Sequence, residues 1–260
     1  MTDDESEDMS RDAVAEALVS ADHAIALTGA GISTPSGVRD FRGENGLYGE
    51  FDQSDISIGR FERDPGGFWR DWVAIHAEQF DDDPVEPNPA HEALSDLENA
   101  GVLDALVTQN VDGLHHAAGS ESVLHLHGTA ARSTCQDCGR TVETTSTIAG
   151  SADATYPPTC DECDGVLKPD TVLFGEQLPP GAMKRARRHA EDTDVLLAAG
   201  SSLTVNPAAS LPRTADRNGA TVVIVNLDET PADSLADHVL REPVEDALPD
   251  IADRVLEAKR

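Results

Sequence analysis

Residues 24–37 read Ala24-Ile-Ala-Leu-Thr-Gly-Ala-Gly-Ile-Ser-Thr-Pro-Ser-Gly37, an apolar run that leads directly into a glycine-rich loop. The apolar run is typical of a buried strand. Glycines after such a strand let the backbone approach a pyrophosphate and present amide donors to it. The loop departs from the G-x-G-x-x-G pattern, because Gly37 comes six residues after Gly31. It therefore indicates a nucleotide-binding turn, and a plain strand–turn connection stays open on this stretch alone.

Apolar runs of strand length alternate with helical patterns along most of the chain. After residues 24–27, further strands are predicted at 105–108, 123–126, 195–199 and 221–225. Helices are predicted from an N-cap at Ser10 through Leu18 and at about 90–100, 112–118, 181–191 and 206–217. Strands that alternate with helices favour an α/β fold with a doubly wound, mostly parallel Rossmann-type sheet.

Three segments fall outside this alternation. Residues 43–88 hold most of the aromatic side chains and are predicted to form a helical flap or insert with its own small core. Residues 131–170 contain all four cysteines, and residues 1–9 are predicted to be a disordered acidic tail. The rest of the chain is expected to form the Rossmann-type domain, which comprises residues 10–42, 89–130 and 171–260.

The cysteines form two C-x-x-C pairs, one at Cys135 and Cys138 and the other at Cys160 and Cys163. Two such pairs supply four thiolates in the tetrahedral arrangement that a structural zinc ion requires. Disulfides fit a cytoplasmic chain poorly, and a redox dithiol would not need two matched pairs. The spacing predicts one zinc ion in a small zinc-ribbon-like module. Because four protein ligands leave no open position, this zinc is expected to hold the fold and take no part in the chemistry.

The 260-residue chain carries 49 acidic and 19 basic residues, which give a formal net charge of −30. The acidic residues lie along the whole chain, whereas lysine occurs only at Lys168, Lys184 and Lys259. A strongly hydrated acidic surface stays soluble where salt screens charge repulsion over short distances. Salt adaptation is therefore favoured over the alternative, an acidic surface for a basic partner such as a chromatin protein. We expect loss of structure at low salt.

The composition also argues against other classes of protein. The sequence offers no basic patch that would neutralise phosphates, so direct binding of nucleic acid is not expected. No apolar run approaches the length of a membrane span, and the acidic amino terminus is unlike a secretory signal. We therefore expect a cytoplasmic protein that has no contact with membranes.

Several motifs, in order along the chain, resemble those of the sirtuin family. Gly29-Ala-Gly-Ile-Ser-Thr-Pro-Ser-Gly-Val-Arg-Asp-Phe-Arg-Gly43 resembles the first signature, and Thr108-Gln-Asn-Val-Asp-Gly-Leu-His-His-Ala-Ala-Gly119 resembles the second. His127-Gly128 follows, and Lys168-Pro-Asp-Thr-Val-Leu-Phe-Gly-Glu176 is similar to the substrate-groove segment. Gly200-Ser-Ser-Leu-Thr-Val-Asn-Pro207 and Asn226 resemble the later NAD contacts. Over roughly residues 10–255, the chain is identified as a sirtuin of the bacterial and archaeal type.

This resemblance implies an NAD-dependent protein-lysine deacylase that releases nicotinamide and O-acyl-ADP-ribose, with NAD as co-substrate. His127 would be the general base toward the ribose hydroxyls, a task that suits imidazole because it titrates near neutrality. Asn110 is the second candidate catalytic residue, and with Asp112 it would hold the nicotinamide carboxamide. The other implied NAD contacts are Ala30, Ser33, Thr34, Phe41, Arg42, Gln109, Val111, Gly200, Ser201, Ser202, Asn226, Leu227 and, near the adenine, Glu242.

The resemblance also implies a groove for an acylated-lysine protein substrate. Val172, Leu173, Phe174 and Gly175 would pair with an extended peptide by strand addition, and a buried core strand is the alternative for them. The sequence after Gly46 lacks the Tyr-x-x-Arg pair that accompanies a preference for acidic acyl groups, which favours a neutral acyl group such as acetyl. Positions that depart from the family's pattern are Arg39, Thr171 and His125, the last of which is commonly a glutamate.

Other functions remain open on the sequence. Protein ADP-ribosyl transfer would use the same NAD site. An NAD-sensing scaffold that binds acetylated partners would need no general base, so the combination of His127, Asn110 and Asp112 argues against it. His115 and His116, like His125, are alternative bases, zinc ligands or packing residues. A monomer is expected.

Overall fold

The computed structural model describes residues 3–40, 46, 51–80, 85–144 and 155–260, with backbone alone at 3–7 and 79–80. The strands are β1 (Ala24–Thr28), β2 (Ala105–Thr108), β3 (Val123–His125), β4 (Gly128–Cys135), β5 (Thr141–Glu143), β6 (Leu167–Thr171), β7 (Val195–Ala199), β8 (Thr221–Val225) and β9 (His238–Leu240). The α-helices are α1 (Asp3–Ser20), α2 (Ile58–Arg63), α3 (Pro65–Phe80), α4 (Pro89–Asn99), α5 (Leu114–Ala117), α6 (Ala182–Asp192), α7 (Leu211–Arg217) and α8 (Val244–Ala258).

Six strands form one sheet in the order β3-β2-β1-β7-β8-β9. Every pairing within it is parallel, which is stricter than the mostly parallel sheet that the alternation predicts. The chain leaves β1 toward β2 and β3 on one side and toward β7, β8 and β9 on the other. In such a doubly wound sheet, the crevice at the carboxyl ends of the strands where the order reverses is where ligands bind.

Helices cover both faces of this sheet, so its strands are apolar on both sides. Ala24 and Ala26 of β1 belong to the core under α1, α4 and α8. Ile25 and Leu27, which point to the opposite face, belong to the core under α6 and α7. The alternation along β1 thus supplies two cores, and the predicted doubly wound architecture is confirmed.

The amino-terminal prediction was wrong. Helix α1 begins at Asp3, so the predicted N-cap at Ser10 lies inside a helix, and the segment predicted as a disordered tail is helical from Asp3 onward. The cause is tertiary. Asp8 and Asp12 both accept hydrogen bonds from Arg254 of α8. Arg254 is far away in the sequence, so no pattern near residues 1–20 could have predicted this contact.

The sequence predicted a flap with its own small core. In the structure, the flap and the cysteine module share one core. Phe68 and Trp69 of α3 are fully buried in one cluster with Leu167 of β6, Cys135 and Cys160. The indole of Trp69 also donates to the Leu167 carbonyl at 2.8 Å.

The boundaries predicted for the cysteine module also shift. The three-stranded sheet β5-β4-β6 extends from Gly128 to Thr171, slightly beyond the predicted 131–170. No helix within the described part of the chain is both long and apolar enough to cross a membrane.

Candidate active site

A cavity of about 900 Å³ lies at the carboxyl ends of the parallel strands. It contains the residues that directly follow four of them, which are Gly29 after β1, Gln109 after β2, Gly200 after β7 and Asn226 after β8. β1 and β7 are the neighbouring strands at which the order reverses. The cavity therefore occupies the position at which doubly wound sheets bind nucleotides.

The glycine loop forms a close backbone contact with the turn after β7. The Gly31 amide donates to the Gly200 carbonyl at 2.8 Å. A Cβ on Gly31 would lie 2.9 Å from that carbonyl oxygen, and a Cβ on Gly29 would lie 2.9 Å from Ser201 Oγ. Gly200 itself has φ +58°, and a Cβ there would lie 2.2 Å from the Ile32 amide nitrogen. Glycine is therefore required on both sides of a cradle that a pyrophosphate fits.

Polar side chains at one end of the cavity form a fixed hydrogen-bond network. The side-chain amide nitrogen of Asn110 donates to the Gly29 carbonyl at 3.1 Å and to Ser33 Oγ at 3.0 Å. Ser33 Oγ in turn donates to Asp112 Oδ2 at 2.7 Å. Because both N–H groups of Asn110 are used within the protein, its Oδ1 is what the side chain can offer to a ligand.

The His127 ring is held by a single backbone contact. Its Nδ1 lies 3.0 Å from the Gln109 carbonyl, which can only accept, so Nδ1 carries the proton and Nε2 keeps its lone pair. Burial lowers the pKa of His127 below its ordinary value of 6.5, and the hydrogen bond to Gln109 partly offsets this effect. At neutral pH the residue is a neutral imidazole at the cavity wall, which suits a general base.

The other candidate histidines lie elsewhere. Among the described histidines, His76 and His127 are the ones that line the cavity. His115 is buried with its Nε2 2.9 Å from Thr28 Oγ1, and the Nε2 atoms of His116 and His125 lie 3.1 Å apart. None of these three lines the cavity or belongs to the cysteine cluster, which favours packing roles for them.

Four thiols form a second candidate site, outside the cavity lining. The Sγ atoms of Cys135, Cys138, Cys160 and Cys163 all lie within 4.8 Å of one another. Cys135 and Cys163 are separated by 3.5 Å and Cys138 and Cys160 by 3.8 Å, close to the roughly 3.8 Å expected for tetrahedral zinc with Zn–S bonds of about 2.3 Å. The donor set fits one structural zinc ion, as the spacing predicts.

Comparison with known proteins agrees with this geometry. A model of the Sir2 family matches residues 29–207. The chain belongs to the Sir2 family. The NAD-dependent protein deacetylase of Haloarcula marismortui is 49% identical over 94% of each chain. A solved Sir2 homologue mutant bound to ADP-ribose is 37% identical, with a TM-score of 0.87 over 95% of this chain and 97% of that one. A solved Sir2 complex with a p53 peptide and NAD⁺ is 36% identical, with a TM-score of 0.80 over 94% and 96%.

The cavity of this Sir2 chain gathers most of the residues implied by the resemblance. It brings together the two candidate catalytic residues, the described NAD contacts other than Glu242, and the groove segment. They are Ala30, Ser33, Thr34, Gln109, Asn110, Val111, Asp112, His127, Val172, Leu173, Phe174, Gly175, Gly200, Ser201, Ser202, Asn226 and Leu227. Their individual contacts with NAD or peptide stay predictions. Phe41 and Arg42 lie outside the described residues.

Glu242 is the described candidate that the Sir2 cavity does not include. Its carboxylate accepts hydrogen bonds from Arg11 of α1, and its side chain is buried in that pair. The neighbouring Val244 and Glu245, at the start of α8, line the cavity instead. The prediction therefore chose a residue outside the cavity, although residues shortly after it in the chain line the cavity.

Sequence reasoning missed the contribution of the flap. Ile56 and three residues of α3, namely Trp72, Ile75 and His76, line the cavity. His76 stacks on Trp72 with ring centroids 4.2 Å apart, and burial lowers the pKa of His76 to about 4. The aromatic content of residues 43–88 was the available signal. It indicates a small core but cannot show which ring faces a ligand.

Proposed function

We propose that this Sir2 chain is an NAD-dependent protein-lysine deacylase that releases nicotinamide and O-acyl-ADP-ribose, with His127 as general base. The observation that carries the proposal is the His127 ring, held through Nδ1 with Nε2 unprotonated, in a cavity shared with the glycine cradle. The names of the Haloarcula marismortui relative and of the ADP-ribose complex support the same chemistry.

Bound NAD supplies the ribose hydroxyls that receive the acyl group and the carbon from which nicotinamide departs. The close approach of the backbone at Gly29, Gly31 and Gly200 leaves room for its phosphates beside the turns after β1 and β7. Asn110 Oδ1 accepts from the carboxamide of nicotinamide, since both of its N–H groups already bind Gly29 and Ser33. His127 Nε2 then takes a proton from a ribose hydroxyl, a role for which a neutral imidazole is needed.

The acyl group that this cavity accepts is neutral. No lysine or arginine lines the cavity within the described residues, whereas Asp112, Glu176 and Asp228 do. An acidic acyl chain would be buried without a cationic partner, which is costly. The apolar side chains of Ile56, Ile75 and Leu178 suit an acetyl or longer aliphatic group instead.

The second substrate is a protein that carries an acylated lysine, as the peptide complex of the related Sir2 structure suggests. A net charge of −30 favours substrates with basic residues around that lysine, basic chromatin proteins among them.

The chain acts as a monomer in the cytoplasm. Sedimentation and cell fractionation test these two statements.

The function is tested by incubating the chain with NAD and a panel of acyl-lysine peptides at high salt and analysing the products by mass spectrometry. Deacylated acetyl peptide together with free O-acetyl-ADP-ribose is expected, with little turnover of a succinyl peptide of the same sequence. If label from NAD became bound to protein instead, the activity would be ADP-ribosyl transfer. Binding of NAD with no release of nicotinamide would make the chain a sensor.

A further inference from the structure

Lys168 is a buried lysine that the proposed chemistry does not use. The residue is 8% exposed, and its Nζ donates to the Pro169 carbonyl at 3.0 Å and the Thr171 carbonyl at 3.1 Å. The third contact is with Glu176 Oε2, also at 3.0 Å. An ammonium has three N–H donors, and each has an acceptor here, which is the condition for burying it at low cost.

Glu176 extends this arrangement to the far end of the groove loop, residues 172–175. The same Oε2 accepts from the Leu173 amide at 2.9 Å, while the Glu176 amide donates to the Leu173 carbonyl at 2.9 Å. Gly175 turns the chain between them with φ +82°. One ammonium and one carboxylate therefore hold both ends of the groove loop.

Further hydrogen bonds fix the middle of the groove loop to the two sides of the cavity. The Val172 amide donates to the carbonyl of His127, and the Phe174 amide donates to the carbonyl of Ile56 in the flap. The Val172 carbonyl and the Gly175 amide have no partner among the residues that the structure describes. The Gly175 carbonyl also has no partner there, so strand addition to this loop can use these three groups, whose directions are set by the fixed ends.

We propose that Lys168 and Glu176 are positioning residues for the acyl-lysine peptide. Their ion pair holds the groove loop so that the Val172 carbonyl and the Gly175 amide meet the peptide backbone beside His127. The inference rests on the proposed deacylase function. The NAD cradle is built from the turns after β1 and β7, so the ion pair acts on the peptide and not on the dinucleotide.

The test compares peptide and nucleotide binding in Lys168→Met, with the zinc-loaded full chain at high salt. The KM for an acetyl-lysine peptide is expected to rise about tenfold or more, because removing one partner of a buried pair leaves the other unsatisfied. The Kd for ADP-ribose, measured by calorimetry, is expected to stay within about twofold of the parent value. Lys184→Met makes the same change at an exposed lysine of α6 and is expected to alter neither constant.

If Lys168→Met does not fold, Glu176→Gln breaks the same ion pair from the other side. The Glu176 side chain is 28% exposed, so its replacement disturbs the buried structure less. Glu176→Gln too is expected to raise the peptide KM. In the Lys168→Met/Glu176→Gln double variant the two increases in KM should not add, because each substitution removes the same ion pair. An unchanged peptide KM in either folded single variant would overturn the proposal, as would an equal loss of ADP-ribose affinity. Failure of the parent chain to deacylate the peptide would instead refute the deacylase function.

Discussion

His127 lies two residues beyond the end of β3, and its ring is oriented by one carbonyl, that of Gln109. Replacing it with alanine removes the proton acceptor but no buried side-chain partner. We expect His127→Ala to lower kcat/KM by about 10²–10⁴-fold, the usual contribution of a positioned base. Thermal stability and ADP-ribose binding should be retained. His189→Ala on α6, a histidine outside the cavity lining, is the matched control, and residual deacetylation near the parent rate would refute the assignment.

The acid limb of the pH–rate profile should report on the same ring. The neutral form of His127 is the active one, and burial lowers its pKa below 6.5. Activity is therefore expected to be complete at pH 7 and to fall with a midpoint below pH 6.5 as the ring becomes protonated. The measurement is kcat/KM for an acetyl peptide between pH 5 and 8 at constant ionic strength. A midpoint at or above pH 7 would contradict this environment for His127.

At the scale of elements, the flap helix α3 and the cysteine module share one core, so we expect them to depend on each other. Phe68 and Trp69 pack on the side of the module that carries Cys135, Cys160 and Leu167. Zinc bound by the four thiols would fix that surface, so its removal should release α3 as well as the module. The parallel sheet, whose two cores lie elsewhere, should persist.

Fluorescence can follow this coupling, because Trp69 and Trp72 are the only tryptophans of the chain and both belong to the shared core. Chelation of zinc, or Cys138→Ser, is expected to shift their emission to longer wavelength while most of the helical circular dichroism remains. Loss of zinc from Cys138→Ser with unshifted emission would show that the two elements are independent.

At the scale of the whole molecule, 49 acidic residues repel one another, and the 19 basic ones are too few to pair with them. Near the contact of α1 with α8, Arg11 is shared by two carboxylates and Arg254 by three. The screening length is about 3 Å at 1 M salt and about 10 Å at 0.1 M, so repulsion grows on dilution. We expect the circular dichroism of the fold to be lost below a few tenths molar salt. Full folding and activity in dilute buffer would contradict salt adaptation.

The sequence predicted the sheet because its signals are local. The apolar run before Gly29, the alternation of strands with helices and the two C-x-x-C pairs are each contained within a short stretch. What it missed depends on distant partners. Helix α1 is tied at Asp8 and Asp12 to Arg254, far along the chain, and the Glu242 carboxylate binds Arg11 instead of lining the cavity. Trp72 and His76 reach the cavity through the docking of α3, which no spacing within 43–88 encodes.

The burial of Lys168 has a consequence for the enzyme as a chemical target. Reactive acyl donors modify an amine that is accessible, and the Lys168 ammonium is enclosed with all three donors engaged. Of the three lysines in the chain, Lys184 and Lys259 are therefore the ones exposed to such reagents. A protein that we propose removes acyl groups from lysine therefore has only two exposed lysine side chains that could themselves be acylated.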